Sequence, residues 1–350
     1  MKIALLTIWH EKNYGAELQA YATIKTLTEL GHEVKMIDIH LADMRYVSLK
    51  GRIAQFLSVF TPGEWKFRNF WRKTIPTTRR YHSLEELKKN PPHADLYLVG
   101  SDQVWNPEIT KSLASAFFLD FGDNVIKRAS YASSFGIESW SEKATMTKEV
   151  NSYLQRFDAV SCREKSGCEI LRNSFNIKAT HVIDPTLLRT DFSEFVTTKT
   201  HKDTLVYYPL ENDPELRNYA QKLSQRLGYD CIDAANRKYF GKLEWNRNSP
   251  KQWIEAIANS RLVITRSFHG VVFSLLYKRQ FIVVNNTSRI TRITNLLESL
   301  GLSDRCFHSF EEVDAARPWD YPIDYNQITP LLENLREESM EFLKKLAESK

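Results

Sequence analysis

The sequence predicts an α/β protein made of two parallel-sheet domains. Three observations carry that prediction. Short, nearly continuous apolar runs alternate with helical patterns, which is how doubly covered strands and their crossover helices read. The alternation comes in two series, one ending at Asp184-Pro185 and the other starting near Thr204. The chain has 350 residues, more than the ~250–300 at which a single hydrophobic core stops growing.

Residues 2–8 form the first predicted strand, and after a short loop residues 15–30 form a helix. Ala20, Ile24, Leu27 and Leu30 recur at helical spacing, and Gly31 stands where a helix usually stops. Residues 34–39 complete a βαβ unit, the connection that builds parallel sheets. Further strands are expected at 94–99, 128–135, 159–162 and 180–183, with helices at 141–157 and 164–174 between them. Proline at 185 ends this series, because it cannot donate to a ladder. The second series runs strand 205–208, helix 214–227, strand 230–233, helix 250–258, strand 262–265, helix 269–277, strand 281–284 and helix 290–299. Ser249 is the expected N-cap of helix 250–258, with Pro250 at its first position. These series give a Rossmann-like N-terminal domain over 1–185 and a Rossmann-like C-terminal domain over 204–325, joined near 185–203. A final helix over 327–349, striped with leucines, reads as a packed brace. Ligands of such sheets sit beyond the C-terminal strand ends, so a cleft between the domains is the expected site.

Residues 41–82 interrupt the first series, and we read them as an insertion in the N-terminal domain. From Arg45 to Lys73 there are seven Lys or Arg and one acid, Glu64, interleaved with Tyr46, Phe56, Phe60, Trp65, Phe67, Phe70 and Trp71. This pattern fits a helical insertion packing its rings inward, or a surface for an anionic lipid or acceptor. Interleaved basic and aromatic residues can also hold single-stranded nucleic acid, but no nucleic-acid partner is expected.

Composition closes several doors. Hydrophobic residues make up 42% and charged residues 26%, as in an ordinary globular protein. The closest glycines, Gly51 and Gly63, lie twelve positions apart. Neither a GxGxxG dinucleotide fingerprint nor a GxxxxGK[ST] phosphate loop can therefore be present. There is no HExxH pair and no DxD pair. Cys162, Cys168, Cys231 and Cys306 form no CxxC, so they read as reduced thiols. No apolar run is long enough for a signal-peptide core or a membrane span. We expect a cytoplasmic protein, with peripheral contact at the cytoplasmic membrane as an option. The net charge of +5 suits anionic partners without naming one.

Four loops follow strands on the ligand side. In Asn13-Tyr14-Gly15-Ala16-Glu17, a glycine at a helix start would leave N–H groups open to an anion. Gly100-Ser101-Asp102-Gln103-Val104-Trp105 crowds polar groups and an indole into one turn, either as a site or as an Asx-type turn. Arg163, after strand 159–162, would clamp a carboxylate or phosphate, or else pair with Glu164. Thr265-Arg266-Ser267-Phe268-His269-Gly270 offers an imidazole, the group best suited to proton transfer near neutral pH.

Taken in order, NYGAELQAY, LVGSDQVWNP, SCREKSGCEIL, VIDPTLL and ITRSFHGVVFSLLYKRQF resemble the polysaccharide pyruvyl transferase family over about residues 1 to 300. The resemblance implies a GT-B-like pair of domains and a reaction without metal or redox cofactor. A pyruvyl unit would pass from phosphoenolpyruvate to two hydroxyls of a sugar, free or in a lipid-linked oligosaccharide, forming a cyclic ketal and releasing phosphate. Such a donor needs two cationic or N–H-rich pockets and a proton for its methylene carbon. His269 is the expected proton donor. Arg163 and Arg266, with Arg289 and Arg292 behind them, are expected to meet the donor's charges. Asp102 or Glu17 would orient the sugar hydroxyls, and Asn13, Gly15, Ser101, Trp105 and Ser267 complete the expected substrate contacts. In the family pattern an arginine stands two residues before the histidine; here Ser267 holds that position and Arg266 is three before. The competing readings are a nucleotide-sugar glycosyltransferase of the same architecture and a non-catalytic glycan- or membrane-associated scaffold.

Overall fold

The computed structural model describes residues 1–9, 12–39, 59–197, 203–210, 212–240, 243–284 and 291–348. The chain falls into two compact units. The first comprises Met1–Val47, Trp71–Arg189 and Asn334–Lys350; the second comprises Ser48–Phe70 and Thr190–Glu333.

In the first unit, β1 (Lys2–Leu6), β2 (Glu33–Ile39), β3 (Thr77–Tyr81), β4 (Leu96–Val99) and β5 (Lys127–Ser130) form one sheet in the order β3-β2-β1-β4-β5. Every pairing is parallel. Bridges from Ala129 to Ala159 and from Ser133 to Cys162 lead on to a parallel pair, β6 (Ser161–Cys162) and β7 (Thr180–His181). Strand order reverses between β1 and β4, and such a reversal opens a crevice at the C-terminal strand ends. Helix α1 (Tyr14–Glu29) connects β1 to β2 and is buried almost all round. It packs on the short helix Pro185–Leu188, which explains why its sequence shows no broad polar face.

Strand β3 lies inside the predicted insertion and was not expected. Its sequence, Thr-Thr-Arg-Arg-Tyr, has the charges that protect a sheet edge from stray pairing. The strand expected at 128–135 ends at Ser130, because Ala132 turns the chain with φ +54°.

In the second unit, β8 (Thr204–Tyr208), β9 (Asp230–Asp233), β12 (Leu262–Thr265), β13 (Gln280–Val284) and β14 (Cys306–Phe307) form a sheet in the order β14-β13-β12-β8-β9. All its pairings are parallel, and its order reverses between β8 and β12. Between β9 and β12 a hairpin, β10 (Lys238–Phe240) and β11 (Leu243–Asn246), pairs antiparallel. The core is built from Leu205, Leu216, Leu223, Ile264, Ile282 and Val313. Helix Pro250–Ala258 starts as expected: Ser249 and Gln252 form a reciprocal capping box, and Pro250 holds the first turn.

The insertion does not belong wholly to the N-terminal domain as expected. Helix Pro62–Thr74 crosses the division between the units, and its N-terminal part packs within the second. Lys66 Nζ donates to Asn246 Oδ1 and to the Arg247 carbonyl, both at 3.0 Å. A Cβ on Gly63 would lie 3.2 Å from the Arg247 nitrogen, so glycine permits that approach. The final helix, Tyr325–Glu348, begins in the second unit and ends in the first. In the second, the Tyr325 hydroxyl donates to the Arg279 carbonyl at 2.5 Å. In the first, Ser339 Oγ accepts from the Ile183 N–H at 3.0 Å.

Candidate functional site

In the first unit, polar side chains gather where β1 and β4 end. A Cβ on Gly100 would stand 3.0 Å from Thr7 Cβ and 3.2 Å from Leu5 Cδ1, so only glycine lets the two strand ends come this close. The Thr7 hydroxyl donates to the Ser101 carbonyl at 2.6 Å. Buried Ser101 donates through Oγ to Asp184 Oδ2 at 3.2 Å. Asp184 also accepts from the Thr186 N–H and hydroxyl, at 3.0 and 2.6 Å.

Arg163 is the hub of this cluster. Its Nη1 lies 2.7 Å from Asp184 Oδ2 and 3.3 Å from Ser101 Oγ, its Nε 3.1 Å from Glu164 Oε1, and its Nη2 3.7 Å from Asp102 Oδ1. Burial works against the charge of the guanidinium, but Glu164, Asp184 and Asp102 outweigh it and hold the group protonated above its ordinary range. Of the two roles expected for Arg163, the structure presents the ion pair with Glu164, joined by two further carboxylates. One guanidinium among three carboxylates is not an open cation.

Asp102 has φ +78°, a left-handed conformation that costs a non-glycine residue about 1 kcal/mol or more. Its neighbours hold it there. The Asp102 carbonyl accepts from Val104 N–H at 2.8 Å and Ser134 N–H at 3.0 Å, and Oδ1 accepts from Gln103 N–H at 2.9 Å. The turn after β5, Ser130 to Gly136, joins this cluster and was missed in the sequence. Ser133 Oγ donates to the Gly100 carbonyl at 2.8 Å. Its signal was present: two serines and a glycine directly after a buried strand, as in Gly100-Ser101.

Two residues of this unit sit otherwise than the sequence suggested. Trp105 is turned into the core and not toward an open surface. It is buried, donates through Nε1 to the Phe117 carbonyl at 3.0 Å, and stacks on Phe118 with centroids 5.7 Å apart. The start of α1 is not open to an anion at Gly15. Asn13 is its N-cap, and Asn13 Oδ1 accepts from the Gly15 and Ala16 N–H groups at 3.0 and 3.5 Å. Glu17 lies buried in the first turn of that helix.

In the second unit the histidine loop leaves β12 at the strand-order reversal. Thr265 Oγ1 donates to the Tyr208 carbonyl of β8 at 2.9 Å and accepts from Ser267 N–H at 3.0 Å. Ser267 caps helix Phe268–Leu276 and accepts from Gly270 N–H at 3.4 Å. His269 is the second residue of that helix, 8% exposed, with its ring edge-on to Phe268 at 5.3 Å. A Cβ on Gly270 would fall 2.4 Å from Thr265 Oγ1, so glycine sets how closely the helix sits on the strand end.

Arg266 points to the start of helix Pro214–Leu227. Its Nε lies 3.1 Å from Asp213 Oδ2, and its Nη2 2.9 Å from Glu215 Oε2. The two ion pairs differ in environment. The Glu215 side chain is 70% exposed, whereas those of Asp213 and Arg266 are about four-fifths covered. Arg292 is half-buried at the second position of helix Thr291–Ser299, and Arg289 lies outside the described residues.

Three residues near the end of β8 escaped the sequence reading. Tyr208 is buried edge-on to Trp253 at 5.1 Å. Burial pushes its phenol up to about 12, against the pull of Arg237 and Arg247. Arg237 donates to the Pro209 and Leu210 carbonyls at 3.1 and 2.9 Å, and Arg247 forks onto Glu244. Only the position of Tyr208, last in a buried strand, could have flagged it.

Among the described residues no three His, Cys, Asp or Glu side chains gather as for a metal ion, and no helix is long and apolar enough to cross a membrane.

A family model described as polysaccharide pyruvyl transferase matches residues 13–288. No curated protein matches the chain significantly. Among solved structures, it resembles the UDP-GlcNAc 2-epimerase of Methanocaldococcus jannaschii, with 11% identity, TM-score 0.56 and 100% of both chains covered. The UDP-GlcNAc 2-epimerase of Neisseria meningitidis gives 10% identity, TM-score 0.53 and 100% of both chains. That of Rickettsia bellii gives 11% identity, TM-score 0.53, and 99% of this chain with 96% of the other. At such identities the likeness is one of fold, the GT-B-like pair of α/β domains.

Proposed function

Because the chain belongs to the polysaccharide pyruvyl transferase family, we propose that it moves a pyruvyl unit from phosphoenolpyruvate to two hydroxyls of a sugar, as a cyclic ketal on a surface glycan or its lipid-linked precursor. One sugar hydroxyl adds to the donor's C2 while its methylene carbon gains a proton. Phosphate then leaves, and the second hydroxyl closes the ring. The balance is one donor and one diol in, one ketal and one phosphate out.

The observation that carries this reading is the seat of His269. Ser267 and Gly270 place the imidazole in the first turn of a helix that starts at a strand-order reversal, inside the stretch matched by the family model. His269 is the proton donor to the methylene carbon. Arg266 meets a donor anion by exchanging its exposed partner Glu215, since an exposed ion pair is worth only ~0–1 kcal/mol. Arg163 has no such freedom at 3% side-chain exposure; it holds Ser101, Asp102 and Asp184 in place. Asp102, strained and partly open, orients a sugar hydroxyl. Arg289 and Arg292 remain candidates for the donor's second charge. The protein works on acceptors at the cytoplasmic face of the membrane, which it reaches through Phe60, just before the basic helix Pro62–Thr74, and Trp65 within it, 68% and 66% exposed.

Incubation with phosphoenolpyruvate labelled in the pyruvyl group and a panel of lipid-linked oligosaccharides tests the reading. Label enters the glycan as phosphate is released, and His269→Ala lowers the rate by about 10²–10⁴-fold. An unaltered rate in His269→Ala, or transfer only from a nucleotide sugar, contradicts it.

A further inference from the structure

We propose that Cys162 and Cys168 form a peroxide-sensitive thiol pair that closes to a disulfide beside Arg163. The four cysteines are free thiols, and of these Cys168 packs against the core cluster that contains Cys162, with the two thiols close enough to interact. Cys162 ends β6, immediately before Arg163 and Glu164. Cys168 lies in the first turns of helix Lys165–Phe175, whose start is fixed by Gly167 and Cys168 N–H groups donating to the Glu164 carbonyl at 3.1 and 3.3 Å. Gly167 lets the helix approach the strand end, since a Cβ there would stand 3.2 Å from both Cβ and Sγ of Cys162.

The two sulfurs are inequivalent in a way that suits such a pair. Cys162 is fully buried, and Cys168 is partly exposed. The Cys162 thiol and backbone N–H stabilise a thiolate at Cys168 and lower its pKa, in spite of burial and nearby Glu164 and Glu169. A helix start favours the same charge. Burial and the neighbouring Cys168 push the Cys162 thiol the other way. Cys168 is therefore the attacking sulfur and Cys162 the resolving one.

The chemistry balances with hydrogen peroxide as oxidant. The Cys168 thiolate attacks one peroxide oxygen, the O–O bond breaks, hydroxide leaves, and a sulfenic acid forms. The Cys162 sulfur then attacks the sulfenic sulfur, the S–O bond breaks, and the Cys162 proton departs with that oxygen as water. The two sulfurs give up two electrons, and the peroxide takes them. The new bond pulls on the residue next to Arg163 and so on the ion cluster that holds Asp102 and Asp184.

The test uses the full chain exposed to hydrogen peroxide, alkylated, unfolded and digested without reductant. The expected result is loss of two of the four thiols and a single disulfide joining the peptides that carry Cys162 and Cys168, both reversed by dithiothreitol. In Cys162→Ser, dimedone traps a sulfenic acid at Cys168; in Cys168→Ser and Cys168→Ala, no intramolecular linkage forms. Cys231 or Cys306 reacting first, or Cys168 advancing to sulfinic acid while Cys162 is still alkylated, overturns the proposal. Loss of pyruvyl transfer on oxidation, regained with dithiothreitol, is the expected consequence; that readout alone rests on the function proposed above, and the peptide map stands without it.

Discussion

A guanidinium at 3% side-chain exposure, ringed by Asp184, Glu164 and Asp102, is a fixed part of its unit. Removing it leaves buried carboxylates without compensation, which costs ~3–5 kcal/mol. Arg163→Met should therefore lower stability by about that amount, read from urea unfolding. Arg266→Met should cost much less, because one of its partners is largely in water. If the two variants unfold at the same urea concentration, the positioning role of Arg163 fails. The sequence could mark both arginines as following strands, but it could not supply their partners. Asp184 lies 21 positions from Arg163, and Glu215 51 positions from Arg266. Trp105 misled for a related reason: a polar turn around an indole looks like a ligand contact, yet the carbonyl that satisfies its N–H belongs to Phe117.

Helix Phe268–Leu276 sits on the end of β12 at a distance set by Gly270. A methyl group there meets Thr265 Oγ1, whose bonds to the Tyr208 carbonyl and the Ser267 N–H hold the loop. Gly270→Ala should cost ~1–3 kcal/mol through overpacking and displace His269. Making Gly270→Ala alone and on a Thr265→Ala background separates the causes: a smaller cost of the added methyl once Oγ1 is gone confirms the contact, and an equal cost on both backgrounds contradicts it. Helix Pro62–Thr74 carries a second prediction at this scale. Phe67, Phe70 and Trp71 are buried, as in a packed helical insertion, while Phe60 and Trp65 stand exposed and are the rings that the proposed membrane contact would use. Replacing Phe60 and Trp65 together by serine should sharply reduce co-sedimentation with anionic vesicles and leave the unfolding midpoint nearly unchanged; undiminished sedimentation argues against the membrane contact. The alternation of apolar runs located the buried strands and most long helices to within a few residues. It passed over β3 and the hairpin β10–β11, whose polar, short or edge-lying strands have no continuous apolar run to detect.

At the scale of the whole chain, each unit carries a parallel sheet whose order reverses once, and the motif loops after β1, β4 and β12 leave the strands at those reversals, while the Arg163 loop follows β6 in its separate pair with β7. That placement was legible because a βα connection must put its loop at the C-terminal strand end. The reaction class was legible only as an ordered set of motifs, which the family match over residues 13–288 now supports. Adding a sugar hydroxyl to phosphoenolpyruvate makes a methyl group from a methylene, and the third hydrogen must come from an acid in exchange with solvent. Mass spectrometry of the glycan product formed in heavy water tests that step most directly. The account predicts one deuterium in each new ketal methyl group, one phosphate released per ketal, and loss of both in His269→Ala; a modified glycan lacking that deuterium, or one formed without phosphate release from phosphoenolpyruvate, would contradict it.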